Sequence, residues 1–240
     1  MKQKFLKGVV VNLDDPSVSE LMGNIGFDFV WLDAEHGPYH NIGIQNHIIA
    51  AKAGGCLSFV RIACNDPNLV KPVLEMGPDA VIFPMINSKA DAEAAVKSTL
   101  YPPEGIRGFG PRRANRYGKD TGYLLNYKER TKRILQIEHK TAVQNLDEIL
   151  QVPYIDGILV GPFDLSASLG KIGQVRDPEL LEIYDKIARK VREKGIMLGA
   201  FAVDSESVGE WINRGADFLA LASDTGLIQG GAAGILERFE

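Results

Sequence analysis

The chain has 240 residues, 45% apolar and 24% charged, with 27 basic against 31 acidic side chains for a formal net charge of −4. That is the balance of a soluble globular protein, and the length is ample for one buried core. It excludes the basic face of a nucleic-acid binder and a polybasic membrane anchor, and no apolar run reaches the ~18 residues of a membrane span.

The N-terminal Met1-Lys2-Gln3-Lys4-Phe5 leads into an apolar strand without the layout of a signal peptide, so the cytoplasm is the expected location. Short apolar runs predict strands at 8–12, 27–33, 57–62, 80–84, 134–138, 157–161, 197–201 and 217–221. Helices are predicted between and after them, at 17–24, 39–53, 67–76, 89–100, 141–151, 178–194, 205–214 and 223–238. The helical period is clearest in Leu180, Ile183, Ile187 and Val191. Asp66, Asp177 and Asp204 stand where N-caps belong, the first two before prolines. Gly77, Gly195 and Gly215 close helices. His40 and His47, seven apart, are expected on the solvent side of their helix. Cys56 and Cys64 are read as inert packing residues. Segment 101–132 breaks the rhythm with a Pro/Gly/Arg-rich loop and an extra helix.

Eight strand–helix units in one chain of this length leave about 30 residues for each, the arithmetic of a single-domain (β/α)8 TIM barrel over 1–240. Continuous apolar strands suit a parallel sheet covered by helices. The rival, an open doubly wound sheet, would carry a glycine-rich fingerprint after its first strand, where this chain has Asn12-Leu13-Asp14-Asp15.

A parallel barrel keeps its active site at the carboxyl ends of its strands. There this sequence gathers Asp33, Glu35, His36, Arg61, Gln136, Glu138 and Asp164. A strand gains no stability from ending in an unpaired charge, so several such endings at one mouth are informative. Glu138 and Asp164 come from neighbouring strands, and two carboxylates with the other positions left to water suit Mg²⁺ or Mn²⁺. A salt bridge, or for Asp164 a helix cap before Leu165, is the alternative. A carboxylate beside His36 would orient the imidazole and raise its pKa for acid–base work; a plain turn histidine is the alternative. Arg61 suits capture of a carboxylate or an enolate oxygen, or a structural ion pair with Asp33 or Glu35. Arg107, Arg112, Arg113 and Arg116 crowd one loop and read as a solvated loop or subunit interface before an anion site. Lys140 is the one lysine near a strand end, and an outward position is the more natural for it.

Together these segments resemble the HpcH/HpaI aldolase family. Asp33-Ala34-Glu35-His36-Gly37 matches its D-x-E-H-[GA] segment. Tyr101-Pro102-Pro103-Glu104-Gly105-Ile106-Arg107-Gly108 matches Y-P-P-x-G-x-R-G, Gln136-Ile137-Glu138 matches Q-I-E, and 156–166 matches D-G-[IV]-x-[IV]-G-P-x-D-L-S. The resemblance implies a class II aldolase acting on 2-oxo acids, with pyruvate and an aldehyde as partners. It implies Glu138 and Asp164 as ligands of a divalent metal, Mg²⁺ or Mn²⁺ first and Co²⁺ or Zn²⁺ after them. It implies His36, oriented by Asp33, as acid/base and Arg61 on the pyruvyl oxygen. Gln136 would stand near the metal, and Gly161, Pro162 and Phe163 would shape the substrate pocket. Glu35 would support the site, and Glu75 would reach the histidine of a neighbouring subunit. It also implies a homo-oligomer, a hexamer or another dimer-based assembly, exchanging the C-terminal helix 223–240. Phe163 departs from the family, which commonly has alanine there. Rival readings are a citrate-lyase-like enzyme on a CoA thioester, an oxaloacetate decarboxylase, and a non-catalytic barrel that binds a 2-oxo acid.

Overall fold

The computed structural model describes residues 5–202 and 204–239, and in it strand and helix alternate along the chain. The strands are β1 (Leu6–Val11), β2 (Phe29–Asp33), β3 (Leu57–Arg61), β4 (Ala80–Phe83), β5 (Lys132–Ile137), β6 (Gly157–Val160), β7 (Met197–Phe201) and β8 (Phe218–Ser223). Each pairs in parallel with the next, and β8 pairs with β1, so the sheet closes in the order of the sequence. The helices are α1 (Pro16–Ile25), α2 (Asn41–Ala53), α3 (Pro67–Met76), α4 (Lys89–Thr99), α5 (Tyr123–Arg130), α6 (Lys140–Gln144), α7 (Leu146–Ile149), α8 (Pro162–Ser168), α9 (Pro178–Lys194), α10 (Ser205–Asn213) and α11 (Asp224–Leu236). This is the expected (β/α)8 barrel.

Two apolar layers follow from strand alternation. One residue set, with Val9, Val30, Val60 and Val81, packs outward under the helices. The other, with Phe29, Trp31, Phe59, Ile82, Ile134 and Phe218, fills the barrel interior. Phe29 stacks on Phe59 with centroids 4.5 Å apart, and both meet Phe218 edge-on. Such pairs add ~0.5–1.5 kcal/mol each beyond their burial. Gly8 and Gly199 make room for them, since a Cβ on either would sit 2.1 Å from the ring of Phe29 or Phe218.

The helix caps stand where the sequence puts them. Asp66, Asp177 and Asp204 accept from backbone N–H groups of the first turn, and Gly77 and Gly195 end their helices in the left-handed conformation. Four expectations need correction. The helix expected over 141–151 is two short ones, because the backbone leaves helical geometry at Asn145. The helix offered as starting at Leu165 under an Asp164 cap is the seven-residue α8, which starts at Pro162, so Asp164 lies in its first turn and Gly161 is the N-cap. His40 is exposed, but His47 is fully buried between α1 and α2, its Nδ1 2.7 Å from Ser19 Oγ and its Nε2 3.6 Å from Asp14. Cys56 is buried but Cys64 is exposed. Among the described residues, no helix is long and apolar enough to cross a membrane.

Candidate active site

The interior register of the strands continues past the apolar layer and turns polar. Phe29 and Trp31 are followed two residues on by Asp33, Phe59 by Arg61, Ile134 by Gln136 and then Glu138, and Leu159 by Gly161. The residues singled out at the strand ends therefore meet at one mouth.

Asp33 and Arg61 are register partners on β2 and β3. Arg61 donates to both carboxylate oxygens, Nε to Oδ1 at 2.9 Å and Nη2 to Oδ2 at 2.6 Å. Its Nη1 lies 2.9 Å from Glu35 Oε2 and donates to Gln136 Oε1 at 3.4 Å. The indole of Trp31 faces the guanidinium at 5.0 Å. Arg61 is held on several sides, in the geometry that makes arginine irreplaceable by lysine.

Asp33 does not touch the imidazole it was expected to orient. Its Oδ1 accepts instead from the backbone N–H groups of Glu35 and His36, fixing the turn that carries them. The His36 ring is 65% exposed, and the nearest carboxylate is Glu35, its Oε2 4.0 Å from Nε2. Burial pushes the Glu35 carboxyl up, against the pull of Arg61.

Glu138 is buried. Met85 donates its backbone N–H to Glu138 Oε1 at 2.7 Å, and the Gln136 amide donates to Oε2. Met85 holds a φ of 54°, unfavourable for a residue with a Cβ, and no sequence signal marked it. Burial pushes the Glu138 carboxyl up to about 7, with repulsion from Glu35 and Asp164 adding to it and the Met85 bond opposing. Gly161 is required here by space. A Cβ on it would lie 2.8 Å from Glu138 Cβ and 3.1 Å from both Gln136 Nε2 and Glu138 Oε2.

An open cavity of ≈ 410 Å³ occupies this mouth, lined by His36, Arg61, Gln136, Gly161, Phe163 and Asp164. Val10, Trp31, Phe201 and Ser223 also line it, none of them expected from the sequence. Phe201 and Ser223 sit at strand ends like the acidic residues, but an apolar ring there reads as core and a serine before a helix reads as its N-cap. No lysine lines it among the described residues; Lys140 is exposed at the start of α6.

The described residues contain no ready cage of three or more His, Cys, Asp or Glu side chains. Yet Asp33 and Glu35 share a single guanidinium, and burial, with repulsion from Glu35 and Asp164 added to it, lifts Glu138. A carboxylate pair of oxygen donors beside an open cavity fits a hard divalent cation that keeps its other positions for water or substrate.

Glu75 lies away from this mouth, on α3. Arg107 donates to its Oε1 at 3.1 Å and to the Tyr123 hydroxyl at 2.9 Å, and lies over the Tyr101 ring. Glu75 Oε2 is buried without a partner among the described residues. Arg107 is itself buried, whereas Arg112 and Arg116 are exposed, so the arginines expected to mark a solvated loop or a subunit interface are solvated only in part.

Known proteins of one family resemble this chain over most of its length. The family model described as HpcH/HpaI aldolase/citrate lyase matches residues 7–229. A hydroxypyruvate/pyruvate aldolase of Roseobacter denitrificans is 32% identical over 225 residues, 93% of this chain and 88% of the relative. A 2-dehydro-3,6-dideoxy-6-sulfogluconate aldolase of Pseudomonas putida is 35% identical over 221 residues, 92% and 87% of the two chains. The crystal structure of an HpcH/HpaI aldolase/citrate lyase family protein from Burkholderia cenocepacia superposes with a TM-score of 0.94 at 27% identity, covering 99% of this chain and 95% of that one.

Proposed function

The chain belongs to the HpcH/HpaI aldolase/citrate lyase family, and from that premise we propose that it is a divalent-metal-dependent aldolase joining or separating pyruvate and an aldehyde. The observation that carries this reading is the fixed Arg61 guanidinium on the wall of one cavity with Asp164, with the buried Glu138 carboxylate behind that wall against Gln136 and Gly161. Glu138 and Asp164 would hold the metal, Mg²⁺ or Mn²⁺ by their oxygen chemistry, which when bound supplies the positive charge an enolate needs.

The side chains do the rest. Arg61, pinned by Asp33 on the cavity wall, supplies the oxyanion that develops on the 2-oxo group with a fixed positive charge and with Nη1, which Glu35 and Gln136 hold before substrate binds. In cleavage, His36 takes the proton from the C4 hydroxyl, the C3–C4 bond breaks, its electron pair remains as the enolate of pyruvate, and C4 leaves as the aldehyde. A proton returned to C3 completes pyruvate, and synthesis runs the same steps backward. Asp33 is a positioning residue, acting through Arg61 and through the backbone of the turn that presents His36. Gln136 steadies Glu138, and Gly161, Pro162 and Phe163 form the cavity wall.

The CoA-thioester reading needs a free basic surface for the nucleotide. Arg107 is spent on Glu75 and Tyr123, and Arg113 donates to the Met76 carbonyl, which leaves Arg112 and Arg116 as the exposed arginines of that loop. We also read the chain as a homo-oligomer. The exposed Leu227, Ile228, Ile235 and Leu236 of α11 suit burial against another copy, and the unpartnered Glu75 Oε2 suits a neighbouring subunit's histidine. The test is product formation from pyruvate and an aldehyde by chelator-stripped protein resupplied with Mg²⁺ or Mn²⁺. A 4-hydroxy-2-oxo acid appearing with metal supports the reading, and none with either metal over a broad aldehyde panel overturns it.

A further inference from the structure

The charges and the apolar groups of the cavity lie on different arcs of the barrel. Following the strand order, Asp33 and Arg61 come from β2 and β3, Gln136 and Glu138 from β5 and the residue after it, and Asp164 from the first turn of α8 after β6. The remaining arc, β7, β8 and β1, contributes Phe201, the Ser223 hydroxyl and Val10. Phe163, at the second position of α8, leans over that arc, its ring centroid 6.3 Å from that of Phe201.

Phe163 is 47% exposed, so core packing does not explain it. A large aromatic ring left half in water beside a reaction centre gains from a substrate that covers it. The charge pattern is as selective as the shape. Arg61 is already matched by Asp33 and Glu35, and Asp164 lines the cavity with Glu138 behind it. Apart from His36, no other basic side chain lines the cavity among the described residues. A carboxylate or sulfonate on the incoming aldehyde would thus meet two aromatic rings and no free cation, an expensive place for a desolvated charge. The volume leaves room for pyruvate together with a ring-sized partner.

We propose that the β7–β8–β1 arc of this cavity, with Phe163 and Phe201 as its specificity-determining residues, selects an uncharged aldehyde with an apolar body, aromatic or branched. The proposal rests on the aldolase reading above and names its second substrate class. It sets this chain apart from a relative named for a sulfonated sugar acid.

The test compares kcat/KM for addition of pyruvate to benzaldehyde and 3-methylbutanal with that for glyoxylate and succinic semialdehyde, using the full chain loaded with Mn²⁺. The uncharged pair is expected to lead by about tenfold or more, the discrimination that shape and one unpaired charge supply. Two variants locate the cause, each read as a ratio between aldehydes so that a general loss of activity or of folded protein cancels. Phe201→Ala is expected to lower the benzaldehyde to glycolaldehyde ratio about tenfold. Phe163→Arg is expected to raise the succinic semialdehyde to benzaldehyde ratio by a similar factor. Equal or better use of the anionic aldehydes by the wild-type chain, or ratios unmoved in both variants, would overturn the proposal. Metal-restored hydrogen exchange on pyruvate alone, measured in the same preparation, separates the two levels. With exchange present, a failed ratio counts against the specificity proposal only. With exchange absent, the aldolase reading falls and takes the proposal with it.

Discussion

Arg61 and Asp33 meet through two parallel hydrogen bonds, Nε to Oδ1 at 2.9 Å and Nη2 to Oδ2 at 2.6 Å, across neighbouring strands at the barrel mouth. Both side chains are nearly inaccessible to water. The pair orients the guanidinium while leaving Nη1 toward Glu35 and Gln136. A charge fixed before substrate arrives needs no reorganisation during reaction, which is where such donors gain their effect.

Arg61→Lys keeps the charge and loses the two-point geometry. We expect pyruvate exchange to slow by ~100-fold or more, the cost of removing one fixed oxyanion donor. Arg61→Ala leaves Asp33 buried and unpaired, and should lower unfolding stability by ~3–5 kcal/mol in urea titrations. A near-normal exchange rate in the lysine variant would remove Arg61 from the reaction.

Gly161→Ala tests the packing behind Glu138. The new Cβ would press on Glu138 Cβ from 2.8 Å and on the Gln136 amide from 3.1 Å. We expect Mn²⁺ affinity, read by electron paramagnetic resonance, to fall ~10–100-fold, the scale on which ligand-orienting contacts act, with circular dichroism retained. Unchanged affinity would mean that Glu138 is not a ligand.

Met85 sits at φ 54° with its N–H on Glu138. Met85→Gly keeps the N–H and removes the Cβ clash, worth ~1–2 kcal/mol, less the ~0.5–1 kcal/mol of added chain entropy. Stability should therefore hold or rise slightly. Met85→Val, with a branched Cβ at a left-handed position, should lose ~1–3 kcal/mol. Urea midpoints of the two variants should move apart in that order.

His47 predicts a pH dependence of folding. Burial holds its pKa below the ordinary value, against the pull of Asp14. The unfolded chain therefore binds the proton more readily than the folded one. Its contribution is complete above the unfolded pKa of about 6.5 and is lost as pH falls from there through the lower folded value. His47→Gln should cost stability at pH 8 and show a shallower fall than wild type between pH 6.5 and 5. Parallel curves would show that His47 does not titrate differently on folding.

The alternation that makes a barrel also made much of its mouth legible. Phe29-x-Trp31-x-Asp33 and Ile134-x-Gln136-x-Glu138 carry one strand face from apolar to charged, and that switch is visible in the letters. Met85 was not, because its contribution is a backbone N–H whose direction depends on φ. Phe201 was not, because an apolar residue at the end of an apolar strand looks like core. His47 was legible and misread: Ile44, His47, Ile48 and Ala51 form one helical face, and all four are buried. The α8 helix was read only as the alternative in which Asp164 caps it, because its true N-cap, Gly161, has no side chain to mark the start. The Asp33–His36 pairing that the resemblance implied failed because a two-pronged arginine on the next strand outcompetes an imidazole on an exposed turn.

The most direct test is deuterium uptake at C3 of pyruvate, followed by NMR in D₂O with no aldehyde present. Protein stripped with chelator should leave the methyl signal intact, and Mg²⁺ or Mn²⁺ should restore its loss in wild type but not in Glu138→Gln. Exchange that ignores the metal, or its absence from folded, metal-loaded protein, would contradict an enolate-forming site at Glu138, Asp164 and Arg61.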